Sequence, residues 1–162
     1  MSKVSPENRC IFAIKIRGTI RASKKVRETL QMLRLNNTNN AVFIEDTPSF
    51  LGMLNIVRHY VTWGEPSKES IRLLIEKRGR LLGDKKIDDS YIKKIGYSSL
   101  SELATEIFNC QIKYRDLQNV KPVFKLTPPS KGFKGTTKKS YGIGGELGPR
   151  GEHIDHLLKR MV

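Results

Sequence analysis

Four residues near the C-terminus, Glu152, His153, Asp155 and His156, have the side chains that hold a metal ion or move a proton. A three-residue spacing on a helix sets both imidazoles on one side of it. No third soft ligand stands nearby, so solvated charge in the first turn of a helix is the better account. His59, Cys10 and Cys110 form no nucleophile–base pair, and the two thiols make neither a CxxC pair nor a disulfide framework. No catalytic group, metal, cofactor or small-molecule substrate is expected.

The second candidate is KGFKGTTKKSYGIGGELGPRG, residues 131–151, which holds 7 of the chain's 13 glycines and four lysines. A phosphate loop needs G-x-x-x-x-G-K-[ST], and neither GFKGTTKK nor GIGGELG supplies it. The dinucleotide pattern requires a buried strand upstream; here the upstream flank is lysine and serine. A linker has nothing to join, since one short helix follows. From Gln118 to Gly145 there are six lysines and no acid. Lys131, Lys134, Lys138 and Lys139 can meet phosphates, the glycines admit close backbone approach, and Phe133 and Tyr141 can stack on exposed bases. Arg150 closes the segment. Disorder is the plain alternative for residues 127–150, and a loop that is loose alone and ordered on RNA satisfies both readings.

A second basic cluster comprises Lys15, Arg17, Arg21, Lys24, Lys25 and Arg27, extended by Arg34 and interrupted only by Glu28. Cations at a helix start oppose its dipole, so Lys24 and Lys25 make better sense with an anion between them and the amides. The whole chain agrees: 30 Lys and Arg stand against 16 Asp and Glu, a net charge of +14 over 162 residues. Such a surplus is tolerated most easily beside a polyanion. A membrane surface is the weaker candidate, because no apolar run is long enough to span and MSKVSPENRC lacks the core of a signal peptide. A reduced, cytoplasmic setting is expected.

These residues need elements to hold them. CIFAIKIR, 10–17, alternates as a strand, with Cys10, Phe12, Ile14 and Ile16 on one side. Ser23 caps a helix whose stripe is Val26, Leu30 and Leu33. NNTNN is a turn, AVFIE a buried strand, and Thr47-Pro48 opens a helix burying Phe50, Leu54 and Val57. VTW makes a third strand ending at Gly64. The pattern predicts an α+β fold: a β-α-β-α-β core over 8–64 with both helices on one face of an antiparallel sheet, the other face left partly open. Residues 65–162 read as a mostly helical extension carrying the basic loop 127–150. Its helices start at Ser67, at Asp89 or Ser90, and at Ser99; KPVFKL is an edge strand because of Pro122; and Ile154, Leu157, Leu158 and Met161 stripe a last helix. Residues 88–108 could be drawn as a helix-turn-helix, but the second helix would expose Glu102 and Glu106, which do not enter a groove.

The stretch IRGTIRASKKVRETLQMLRLNNTNNAVFIEDTPSFLGMLNIVRHYVTWGE resembles ribosomal protein thirty of the large subunit, most specifically in DTPSFLGMLNIVRHYV. KPVFKLTPPSKGFKG and GGELGPRGEHIDHLLKRM are similar to the tail of that family's longer archaeal and eukaryotic form, and the absence of a long basic N-terminal arm favours the archaeal type. The resemblance implies a ferredoxin-like core docked on large-subunit rRNA, near the small 5S rRNA, with neighbouring ribosomal proteins as partners and no catalysis. It also implies RNA contact by Arg17, Arg21, Lys24, Lys25 and Arg34, and by positions 131–139. Two rival readings remain: a free-standing RNA-binding or chaperone module, and an RNA enzyme using His153 and His156.

Overall fold

A computed structural model describes residues 9–162. Residue 8, the expected start of the core, and the stretch read for a targeting signal before Arg9 lie outside the described residues.

Strand β1 (Cys10–Lys15) runs through the middle of a six-stranded sheet of order β4-β2-β1-β3-β6-β5. Both its neighbours, β2 (Asn40–Glu45) and β3 (Val61–Gly64), are antiparallel to it, with Phe12 opposite Phe43 on one side and Gly64 on the other. Helices α1 (Lys24–Met32) and α2 (Pro48–Ile56) connect these strands and cover one face. Ser23 and Thr47 cap them, each side-chain oxygen accepting from the amide three residues on, which satisfies one of the orphan donors at each helix start. Ile11, Ala13, Leu30, Leu33, Leu35, Leu54 and Val57 fill this side.

The opposite face is not open. Phe12, Ile14 and Ile16 lie at 0–5% exposure under α3 (Lys68–Arg78), α4 (Asp89–Lys94), α5 (Leu100–Phe108) and α6 (Ile154–Met161). The reason is elementary: an alternating strand with large apolar groups on both sides needs two covering layers. The stripes Ile71–Leu74–Ile75, Leu103–Ile107 and Ile154–Leu157–Leu158–Met161 supply the second. Burying each such side chain contributes on the order of 1.5–3 kcal/mol.

The chain after Gly64 also adds three strands. β4 (Phe124–Lys125) pairs with β2 over Asn40 and Ala41 only. Pro122 would fall opposite Phe43 in that register and has no amide to donate, so the ladder stops there. β6 (Gly145–Pro149) runs parallel to β3, and the Trp63 carbonyl accepts from the Arg150 amide at 2.9 Å. β5 (Thr136–Ser140) lies outside β6. Residues 127–150 are therefore not a loop throughout, as the sequence suggested, but carry two short strands, β5 and β6, that pair in parallel and join the sheet.

Candidate nucleic-acid interface

Sheet topology gathers the first basic cluster. The C-terminal end of β1, the N-terminal ends of β2 and β3 and the last residue of β4 share one end of the sheet. The 16–23 loop, the 36–39 turn, Arg58–Tyr60 and Lys125 therefore emerge together. Backbone bonds fix the junction: the amides of Ile16 and Arg17 both donate to the Tyr60 carbonyl at 3.1 and 3.2 Å. The Arg17 guanidinium lies over the Tyr60 ring, 5.4 Å from its centre. Arg21, Lys24, Lys25, Arg27 and Arg34 are exposed. Lys24 reaches Glu28 at 3.8 Å, an open pair of little energetic weight.

Lys15 does not belong on that surface. It is 3% exposed, and its ammonium donates to the Thr19 hydroxyl at 3.1 Å and the Asn36 carbonyl at 2.9 Å. Burial lowers its pKa from the ordinary lysine value, because the charged form loses water. An inward position on a strand, just where the 16–23 and 36–39 segments meet, turns a candidate phosphate contact into a brace between them.

The second segment is equally ordered. Lys131 and Gly132 adopt left-handed backbone with φ of 62° and 72°. The turn they form is tied to α6 by the Ser130 amide, which donates to the Arg160 carbonyl at 2.9 Å, and by the Arg160 guanidinium, which donates to the carbonyls of Ser130 and Gly132. Beyond it, a Cβ on Gly145 would fall on the Lys139 carbonyl, so only glycine admits that crossing. Glu146 and Arg150 are buried together at 2.6 Å, Arg150 Nε donates to the Thr62 hydroxyl at 2.8 Å, and Glu146 accepts from the Gly135 amide at 2.9 Å. The Thr62 hydroxyl in turn donates to the Gly148 carbonyl at 2.9 Å. This network clamps β6 to β3. Arg150, at 7% exposure, is thus an internal anchor rather than a surface cation, and half-buried Phe133 packs against the core. Lys131, Lys134, Lys138 and Lys139 stay exposed, and Tyr141 is 38% exposed.

Because β6 is parallel to β3 with Thr62 beside Gly148, Gly145 lies toward the Tyr60 end, where the first cluster emerges. Among the described residues, the cations in ion pairs are Arg9, Lys24, Lys113, Arg115, Lys121 and Arg150. Among the described residues, Lys131, Lys134, Lys138, Lys139 and most of the first cluster take part in no salt bridge. Ile20, 95% exposed between Arg17 and Arg21, joins this surface, as do Arg58 and Lys125. Nothing in the local sequence marks Arg58 or Lys125; only strand order puts them there.

The histidine group shows no ligand geometry. Asp155 accepts from the Ser67 amide at 2.9 Å, and the His153 and His156 rings lie stacked with centres 6.3 Å apart. Residues 88–108 fold as α4 and α5 with Tyr91, Ile92, Leu103 and Ile107 buried in the second core layer. No helix among the described residues is long and apolar enough to cross a membrane.

The family pattern described as ribosomal protein L30p/L7e matches residues 11–61, from β1 to the first residue of β3. The protein named large ribosomal subunit protein uL30 of Methanosphaera stadtmanae is 43% identical over 150 residues, covering 92% of this chain and 97% of its own. Its namesake in Archaeoglobus fulgidus is 43% identical over 153 residues, covering 93% and 99%. That of Thermofilum pendens is 41% identical over 152 residues, covering 93% and 97%. The likeness therefore extends well beyond the matched core into the C-terminal half.

Proposed function

The chain belongs to the ribosomal protein L30p/L7e family, in its archaeal form, and on that premise we propose that it docks on large-subunit rRNA through one end of its sheet. Its role is that of a structural constituent of the large ribosomal subunit, not of an enzyme. The observation that carries the RNA reading is the pair of cation sets on the surface, one around the end of β1 and α1 and the other in residues 131–139, whose members are largely outside the salt bridges of the described residues. In this reading residues 8–64 form the RNA-binding core and 65–162 brace it and present the second basic segment. Contacts of the 131–139 set are chiefly to phosphate and shape, because lysine supplies a point charge without the planar fork that reads a base edge. The small 5S rRNA and neighbouring ribosomal proteins are the further partners of this surface.

The test is the salt dependence of binding to large-subunit rRNA. Replacing Lys131, Lys134, Lys138 and Lys139 with Ala removes four phosphate contacts, each adding about 0.7 to 0.9 to the slope of log K against log salt. Affinity falls and the slope flattens together; unchanged values for both would exclude the role. Washing large subunits at high salt separates a constituent, which stays, from a free-standing RNA module, which elutes.

A further inference from the structure

A cleft of about 210 Å³ opens between Lys134, Tyr141 and α6 with the turn before it. Lys134, Tyr141, Arg150, His153, His156 and Arg160 line it, and its one acid, Glu146, is taken up by Arg150 and by the Gly135 amide. The cleft is therefore cationic, through Lys134 and Arg160. It also contains a row of rings: Tyr141 and His153 have centres 5.9 Å apart at a 37° tilt, and His156 continues the row at 6.3 Å and 24°. A phosphate needs only the cations. A row of flat faces beside them adds a surface on which a base can stack.

The platform is fixed before anything binds. The Arg150 guanidinium sits 4.7 Å from the centre of the Tyr141 ring, and Thr62 and Glu146 immobilise that guanidinium from behind. A ring held in this way loses little freedom on binding. The lysines beyond the cleft, Lys138 and Lys139, continue the positive surface, so the ligand is part of a strand and not a free cofactor.

We propose that this cleft receives one RNA nucleotide turned out of its stack, its base on Tyr141 and His153 and its phosphate against Lys134 and Arg160. The assignment rests on the RNA-binding reading above and names one subsite within it.

The experiment is an NMR titration of the full-length protein with adenosine 5′-monophosphate, inorganic phosphate and adenosine in separate arms, observing the imidazole resonances of the three histidines. His59, in the other basic cluster, is the reference. Adenosine 5′-monophosphate should shift His153 and His156 saturably and more than either half-ligand does, leaving His59 in place. Tyr141→Ala should weaken that binding about tenfold, the scale of one base–aromatic contact, while Tyr141→Phe, which keeps the ring, should not. Phosphate acting as well as the nucleotide, or Tyr141→Phe failing as Tyr141→Ala does, overturns the pocket. Absence of any shift overturns it too. Direct rRNA binding, measured on the same preparation, separates the two readings: retained rRNA affinity with no nucleotide effect removes the subsite alone, whereas lost rRNA affinity removes the docking role.

Discussion

Lys15 and Arg150 show how far a cation's meaning depends on where its side chain ends. Both stand in basic stretches, and both are buried, one braced by Thr19 and Asn36, the other paired with Glu146. For Lys15→Ala we expect weaker rRNA binding through a loosened 16–23 loop, but an unchanged salt slope, because no phosphate contact is lost. Lys24→Ala and Lys25→Ala should each lower the slope by about 0.7 to 0.9. Filter binding across a salt series distinguishes the two behaviours; a slope that falls for Lys15→Ala would place its ammonium on phosphate after all. The exposed members of both clusters were legible in the sequence because charge without nearby acid is a local property. The burial of Lys15 and Arg150 was not, since Asn36 is 21 residues from Lys15 and Thr62 is 88 from Arg150.

At the level of elements, most helix starts could be read directly. Ser23, Thr47, Ser67 and Ser99 cap as their types require. One detail differs: α4 is capped by Asp88, one or two residues before the start that the sequence suggested; at α5, Glu102 reaches back to Ser98, the residue before the cap. The Tyr91 amide and the Ser90 hydroxyl hold the Asp88 carboxyl below its ordinary pKa, and the Ser98 hydroxyl and amide do the same for Glu102. A carboxyl whose folded pKa is depressed adds stability above its unfolded value and loses it as pH falls through the folded one. The double variant Asp88→Asn, Glu102→Gln should therefore show a shallower loss of stability on acidification, from about pH 4 downward, in denaturant unfolding followed by circular dichroism. Identical acid limbs for variant and parent would argue against these caps. In the β5–β6 pair, Gly145→Ala meets the Lys139 carbonyl; β5 should detach and residues 131–144 should become sensitive to limited proteolysis while the core resists. Equal cleavage rates in parent and variant would show that the crossing tolerates a side chain.

For the molecule as a whole, the two apolar sides of β1 make the C-terminal half a structural necessity. A fragment ending at Gly64 exposes Cys10, Phe12, Ile14 and Ile16, which the full chain buries. It should bind a hydrophobic dye and unfold at lower denaturant than the parent; equal midpoints would mean that the second layer contributes nothing to the first. The alternation in CIFAIKIR announced two sides, and the later stripes announced helices with something to bury. What joined them was only half legible: the edge strand in KPVFKL was read and is β4, whereas GELGP has no strand periodicity, and both pair with residues more than eighty positions away. The seam they form contains the chain's one tryptophan: Trp63, 7% exposed, sits beside Pro149 with its carbonyl on the Arg150 amide. Its indole, however, packs in the layer under α1 and α2, so its emission is a built-in optical gauge of that layer, able to report by colour alone when water reaches the side of the sheet that the early helices cover.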